Sequence, residues 1–557
     1  MSEPTFKKRH FNWRAFAMSF AISLGAIAFG YPLAIIGTTL SQPSFVVYMN
    51  LIDEDGLPTS NADSLVGAMS GVFMAGGIIG IGINIWVMDR FGRKMGVVTS
   101  SFMGLLGAAG TTGARNVAMF IAFRFFAGWG AWAALCVGPT YVSELAPPKI
   151  RGLFVGLTGV ILMFGQALAS YVGLGFFSVE SETSAQWRGP LGVSMAFPLL
   201  SLIMVNFVSE SPRWLLMQGR EPEARDIVMT LHGKTGDEQD FAMAEFFQMK
   251  KQAEFDRTKD SSWRACLTKP SYRRRFELCG FYGCLSQTTG LLVISTYGSV
   301  LYSTLGYGPR QQIVFQCGYI TVGVCMAAVG DLLVDVAGRR ILMMIGYTVC
   351  ICWMCIETAM VALYASPVPE NPNRAGISMA IAALYLFLAS FTCTLDVTGF
   401  TYYADVFPNH LRAKGVSVGI GGSAVVTLIL TQCAGIAFRT IGWKYFLVCL
   451  KASTIVSEAD RLMSMQVFII CPALGVVVIY FMFPETKGLP LEEVARLFGD
   501  ENEVMVFSED IVIDHDHHQL TVRAERHVVY GEGNHTEQWT EKITKQVAPE
   551  SMELETV

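Results

Sequence analysis

Long uncharged stretches alternate with short charged ones along this chain. Residues 64–88 carry no charged side chain, and four charges then arrive within "DRFGRK", Asp89 to Lys94. A helix crosses about 30 Å of hydrocarbon with roughly 20 apolar residues, and the 64–88 run has that length. Similar runs lie at 15–36, 96–113, 117–139, 153–177, 191–208, 278–305, 313–329, 341–365, 377–401 and 416–438, with a last one ending at Phe483. The pattern predicts an all-α membrane protein with twelve transmembrane helices, which puts both termini on one side.

Composition agrees: of 557 residues, 52% are hydrophobic and only 16% charged, too apolar for a soluble surface of this size. Charge placement then sets orientation. Arg90, Arg93, Lys94, Lys149, Arg151, Arg339, Arg340, Arg412 and Lys414 fall in four short connections, whereas the opposite connections are poorer, with none between 38 and 63 and one each at Arg310, Arg374 and Arg439 in the later loops. Positive loops stay inside, so both termini are expected in the cytosol. The start "MSEPTFKKRH" leads into a run too long for a cleaved signal and reads as a retained span. The net charge of -5 gives no sign of nucleic-acid binding. The cysteines sit mostly in apolar runs, which favours packed thiols over disulfides or a metal site, and His515, His517 and His518 read as part of a solvated tail. No metal or cofactor is expected, and no enzyme, because neither a nucleophile and base pair nor a nucleotide loop is found.

The charged loops repeat. "DRFGRK" from Asp89 has a partner in "DVAGRR" from Asp335, "YVSELAPPKIRG" from Tyr141 in "YYADVFPNHLRAKG" from Tyr402, and "ESPRWL" from Glu210 in "PETKGL" from Pro484. Three ordered pairs imply duplication: a six-helix half at 15–208 and another at 276–483, joined by a polar cytoplasmic loop at 209–275 and flanked by cytoplasmic ends at 1–14 and 484–557.

With these motifs the chain resembles the sugar porter family of the major facilitator superfamily, from about Asn12 to Leu497, in a spelling most similar to fungal hexose-transporter-like members. The resemblance implies a carrier in the plasma membrane, expected as a monomer, that moves a small molecule across the bilayer by alternating access. It also implies a cytoplasmic gate of Asp89, Arg93, Arg124, Glu144, Arg151 and Glu210 in the first half, matched by Asp335, Arg339, Arg340, Asp405, Arg412 and Glu485 in the second. A substrate site is expected at Phe29, Gln166, Ser286, Gln287, Phe400, Ser423 and Thr427, since hydroxyls pair with amides and ring faces stack on flat side chains.

Several positions depart from the family pattern. Gly30-Tyr31-Pro32 stands where the family has an acid after Gly-Tyr, and Gly159, Leu292 and Phe400 replace an amide, an asparagine and a tryptophan. Such a cavity is less polar than a typical hexose site. A sugar or polyol carrier is therefore the first reading, a carrier of a less polar metabolite the second, and a non-transporting sugar sensor the third; the mostly charged tail at 498–557 resembles a disordered end rather than a signalling domain. Two acids lie inside runs: Asp396, the stronger functional candidate and a candidate proton site, and Glu357, which is expected rather to bond a neighbouring helix. Residues 448–466 interrupt the junction before the last span with Lys451, Glu458, Asp460 and Arg461; removing them restores an uninterrupted run, and the segment is read as a retained in-frame intron.

Overall fold

The computed structural model describes residues 12–441 apart from short connecting stretches (41, 53–58, 60–61, 148–149, 180–183, 233–235, 305–306 and 365–373), then 467–487, 489, 494–500 and three short strands at 511–514, 519–522 and 552–553. Helices occupy all twelve predicted runs. The first half consists of Trp13–Leu40, Ala62–Phe91, Arg93–Thr112, Val117–Leu145, Arg151–Phe177 and Ala185–Phe207. The second consists of a seventh span in two pieces, Pro270–Gln287 and Leu291–Thr304, followed by Pro309–Ala337, Arg339–Tyr364, Arg374–Asp405, Arg412–Ile441 and Val467–Met482. Ten of these are long and apolar enough to cross a membrane by themselves; Arg93–Thr112 carries its charged loop into its first turn, and Val467–Met482 is short.

Side chains at the helix starts answer the open amide groups there. The Asn12 side chain accepts the Arg14 N–H at 2.9 Å and Asn116 accepts the Met119 N–H at 2.8 Å. At two places a regular helix gives way inside the bilayer. The seventh span breaks after Gln287 and resumes beyond Gly290, whose φ of 82° is open to glycine at little cost. The tenth passes through a π-helical turn, Thr392–Asp396, which widens the coil. Irregular backbone at membrane depth is tolerated where it is buried in protein or lines a cavity, and both breaks adjoin the central one.

The 209–275 stretch is more than a polar connection. It folds as Pro212–Met217, Glu221–His232, Gly236–Asp256 and Trp263–Thr268, and Leu215, Leu216, Val228, Phe246 and Met249 form a small apolar core of their own. The tail also differs from the expected disordered end. Ile511–Asp514 pairs antiparallel with Gln519–Val522, Ile511 opposite Val522, and Met552–Glu553 adds to the second strand. The β-branched residues in "IVID" and "QLTV" favour that conformation over helix. Residues 448–466 and the tail histidines lie outside the described residues; the last span begins at Val467, directly after the insert.

Candidate functional site

Two sites emerge, a charged cluster at one face and a cavity between the halves. In the cluster, Gly92 and Gly338 hold φ of 98° and 93°, so each D-x-x-G-R-[KR] loop turns sharply into the next helix. The turn leaves the first amides of that helix open, and a carboxylate takes them. Glu210 accepts the Arg93 N–H at 3.0 Å and the Lys94 N–H at 3.3 Å; Glu485 accepts those of Arg339 and Arg340, both at 3.0 Å. Burial pushes the Glu210 carboxyl above its usual value, opposed by the N–H groups of Ser211, Lys94 and Arg93.

With the loops so held, the arginines turn inward. Arg93 grips Glu144 with two bonds of 2.9 and 2.8 Å, and its remaining arm donates to the Met88 carbonyl at 3.2 Å. In the second half Arg339 lies 3.3 Å from Asp405 and 3.0 Å from Asp335, and donates to the Val334 carbonyl at 3.3 Å. Four contacts then cross between the halves. Arg412 approaches Glu144 at 3.5 Å, Arg151 donates to Asp405 at 3.3 Å, Asp335 accepts the Leu153 N–H at 2.9 Å, and Lys414 stands 4.0 Å from Asp89. Glu144, Arg412, Arg151 and Asp405 are nearly devoid of solvent contact, so each of these charges depends on its partners. The Ser211 hydroxyl, not anticipated from the motifs, also bonds Glu144.

Arg124 is the exception among the expected gate residues. It lies twenty residues before Glu144 on the same helix, roughly 30 Å away at 1.5 Å per residue, and does not join the cluster. Its Nε donates to the Met69 carbonyl at 3.3 Å, an Nη to the Pro32 carbonyl at 3.1 Å, and its guanidinium lies 4.2 Å above the Phe73 ring. Where the family pattern has an acid, backbone carbonyls and a π face hold this cation.

The cavity, counted with its open mouth, takes in about 620 Å³ of space between atoms. Six of the seven expected substrate residues line it: Phe29, Gln166, Ser286, Gln287, Phe400 and Ser423. Thr427 lies behind the wall and donates to the Gln287 Oε1 at 3.2 Å, so it orients an amide instead of facing the space. Asp396, at the end of the π-helical turn, also lines the cavity, whereas Glu357 is buried elsewhere beside Thr358. Tyr31 is turned away and donates to the Pro190 carbonyl at 2.7 Å. The lining residues missed from sequence include four aromatic ones: Trp132, which meets Phe29 edge to face at 4.9 Å, the Tyr282 and Tyr403 pair at 5.7 Å, and Phe391. Trp132, Tyr282 and Phe391 sit in apolar runs, where ordinary helix packing would produce the same residue, and Tyr403 falls in the repeated motif that begins at Tyr402.

Known proteins match across this whole architecture. The family described as "Sugar (and other) transporter" covers residues 18–498. High-affinity glucose transporter 1 of Candida albicans is 24% identical over 88% of this chain and 86% of its own length. A probable quinate permease of Aspergillus flavus is 24% identical over 88% and 89%. The solved structure of the proton:xylose symporter XylE bound to 6-bromo-6-deoxy-D-glucose superposes with a TM-score of 0.73 at 20% identity, over 88% of this chain and all of that one. Twelve helices in two duplicated halves, a charged cluster joining them and a cavity between them thus accompany a family match over most of the sequence, and the chain belongs to the sugar (and other) transporters.

Proposed function

We propose that this protein carries a sugar or polyol across the plasma membrane by alternating access, with both termini in the cytosol. The observation that carries this reading is the pairing of a cavity between the halves, lined by amides, hydroxyls and aromatic rings, with four polar contacts that tie the halves together on one side of it. In this reading the charged face is cytoplasmic and acts as a gate. Asp89, Arg93, Glu144, Arg151 and Glu210 with Asp335, Arg339, Arg340, Asp405, Arg412 and Glu485 hold it shut, and their separation opens the cavity inward. Gln166, Gln287, Ser286 and Ser423 meet substrate hydroxyls, while Phe29 and Phe400 offer ring faces. Pro32 cannot titrate, so transport runs down the substrate gradient unless Asp396 takes up the proton.

A carrier of a less polar metabolite is the second reading, favoured by the predominance of aliphatic and aromatic side chains around the cavity. Uptake of labelled hexoses, pentoses, polyols and organic acids into transporter-deleted yeast separates the two. Accumulation of a hexose or polyol is the expected result; no accumulation of any of them, with the protein at the cell surface, moves the assignment to the second reading.

A further inference from the structure

Among the described residues that line the cavity, Asp396 is the only carboxylic acid, and no Lys, Arg or His stands with it. Its carboxylate has no hydrogen-bond or ion-pair partner among the described residues, and Oδ2 is shut off from solvent. Arg124, a cation within a membrane-spanning helix, is bound to backbone carbonyls and does not line this space. An acid so placed is costly unless something brings a positive charge or a donor to it.

The other polar groups sharpen this demand. Ser286 and Ser423 donate to the Gly283 carbonyl at 2.9 and 3.0 Å, and Tyr282 donates to the Leu395 carbonyl at 2.8 Å. Their protons are spent on backbone, so each offers the cavity a lone pair. Thr427 takes up the Gln287 Oε1, and one Gln287 N–H goes to Ser286 at 3.3 Å. Around these acceptors stand the rings of Phe29, Trp132, Tyr282, Phe400 and Tyr403, whose faces are electron-rich. Acceptor oxygens, one carboxylate without a partner among the described residues and several aromatic faces are complementary to a cation, while the Gln166 amide and the Trp132 indole N–H remain as donors for hydroxyls.

We propose that Asp396 docks a protonated amine on the transported molecule, so that the substrate class is a small hydroxylated molecule bearing an ammonium group, as amino sugars are. The proposal rests on the transporter reading and specifies what that cavity selects. Its chemistry also disfavours carboxylate-bearing polyols, because an anion would meet Asp396 with no cation to offset the repulsion.

The test uses the purified full chain in lipid nanodiscs, with binding followed by Trp fluorescence in mildly acidic buffer. The probes are D-glucosamine, N-acetyl-D-glucosamine and D-glucose. Glucosamine is expected to bind roughly 10-fold or more tightly than either neutral sugar, the scale of one charge-assisted bond. In Asp396→Asn the preference over the N-acetyl derivative falls to near unity, and in Asp396→Glu it persists. Equal binding of the charged and neutral sugars by the wild type, binding of none of them, or a preference that survives Asp396→Asn overturns the proposal. Should Asp396→Asn not fold, the wild-type contrast decides. Proteoliposomes separate the two levels of inference: a charge preference in binding without uptake of glucosamine defeats the transporter reading alone, and uptake of neutral sugars without that preference defeats this proposal alone.

Discussion

Glu144 illustrates how much a single buried carboxylate can hold. It takes two bonds from Arg93, one from Ser211 and the attraction of Arg412 across the halves, and the duplicated position Asp405 takes Arg339 from its own half and Arg151 from the other. Removing one partner of a buried pair costs about 3–5 kcal/mol because the remaining charge stays in low dielectric. Arg151→Ala and Arg93→Ala are therefore expected to reach the membrane but lose most uptake, measured in transporter-deleted yeast with surface protein quantified in parallel; normal uptake by both variants removes the gate from the mechanism. Gly338→Ala tests the loop geometry. A side chain at φ 93° is strained, and its Cβ would approach Glu485 Oε2 to 2.6 Å. The expected cost is about 1–2 kcal/mol or more, read as a lowered melting temperature in detergent, with Gly308→Ala, an open site, as the control. These charges were legible in sequence because the motifs repeat at matching places. Thr427 and Arg124 were not fully legible: sequence puts a residue on a helix but does not fix its azimuth or its depth, so Thr427 turned out to support Gln287 and Arg124 to sit far from the gate.

Among the elements, the spans themselves were the easiest to read, since an uncharged run of sufficient length has few alternatives to a membrane helix. Their interruptions were hidden. The break after Gln287 and the π-helical turn before Asp396 fall inside apolar runs, and no residue there is a strong breaker apart from Gly290. The tail strands were likewise obscured by the charged residues around them. The insert at 448–466 belongs to this scale, because it stands between two elements and not within one. With Val467 opening the last span, a chain lacking 448–466 retains every described helix. Such a chain is expected to reach the surface and transport at least as well as the full one, and transcript sequencing is expected to show messages without that segment. Transcripts that uniformly contain it, or loss of surface protein on deletion, identify the segment as a genuine outer-loop extension.

For the whole molecule, duplication was readable from the loops, but the relation between the halves was not, because it depends on pairs distant in sequence such as Arg151 with Asp405 and Gln432 with the Gly67 carbonyl at 2.6 Å. Energy coupling is decided at this level, since a proton must change which arrangement of the halves is favoured, and it does so only through a group whose surroundings differ between them. Pro32 stands where the family pattern has such a group, inside a helix, with its carbonyl bound to Arg124. It binds no proton, so the first span contributes nothing to coupling. Arg124 is held by carbonyls that bind no proton either, which leaves Asp396 as the one carboxyl among the described residues that line the cavity. For an uncharged sugar, on which the membrane potential does not act, transport is therefore expected to equilibrate substrate without accumulating it, and a protonophore to leave the initial rate of zero-trans uptake unchanged in deenergised vesicles and in energised ones alike. Accumulation against a gradient that collapses with the protonophore overturns this expectation. If that accumulation then disappears in Asp396→Asn while downhill exchange continues, the proton site lies at Asp396; if it persists, the coupling group lies outside the cavity.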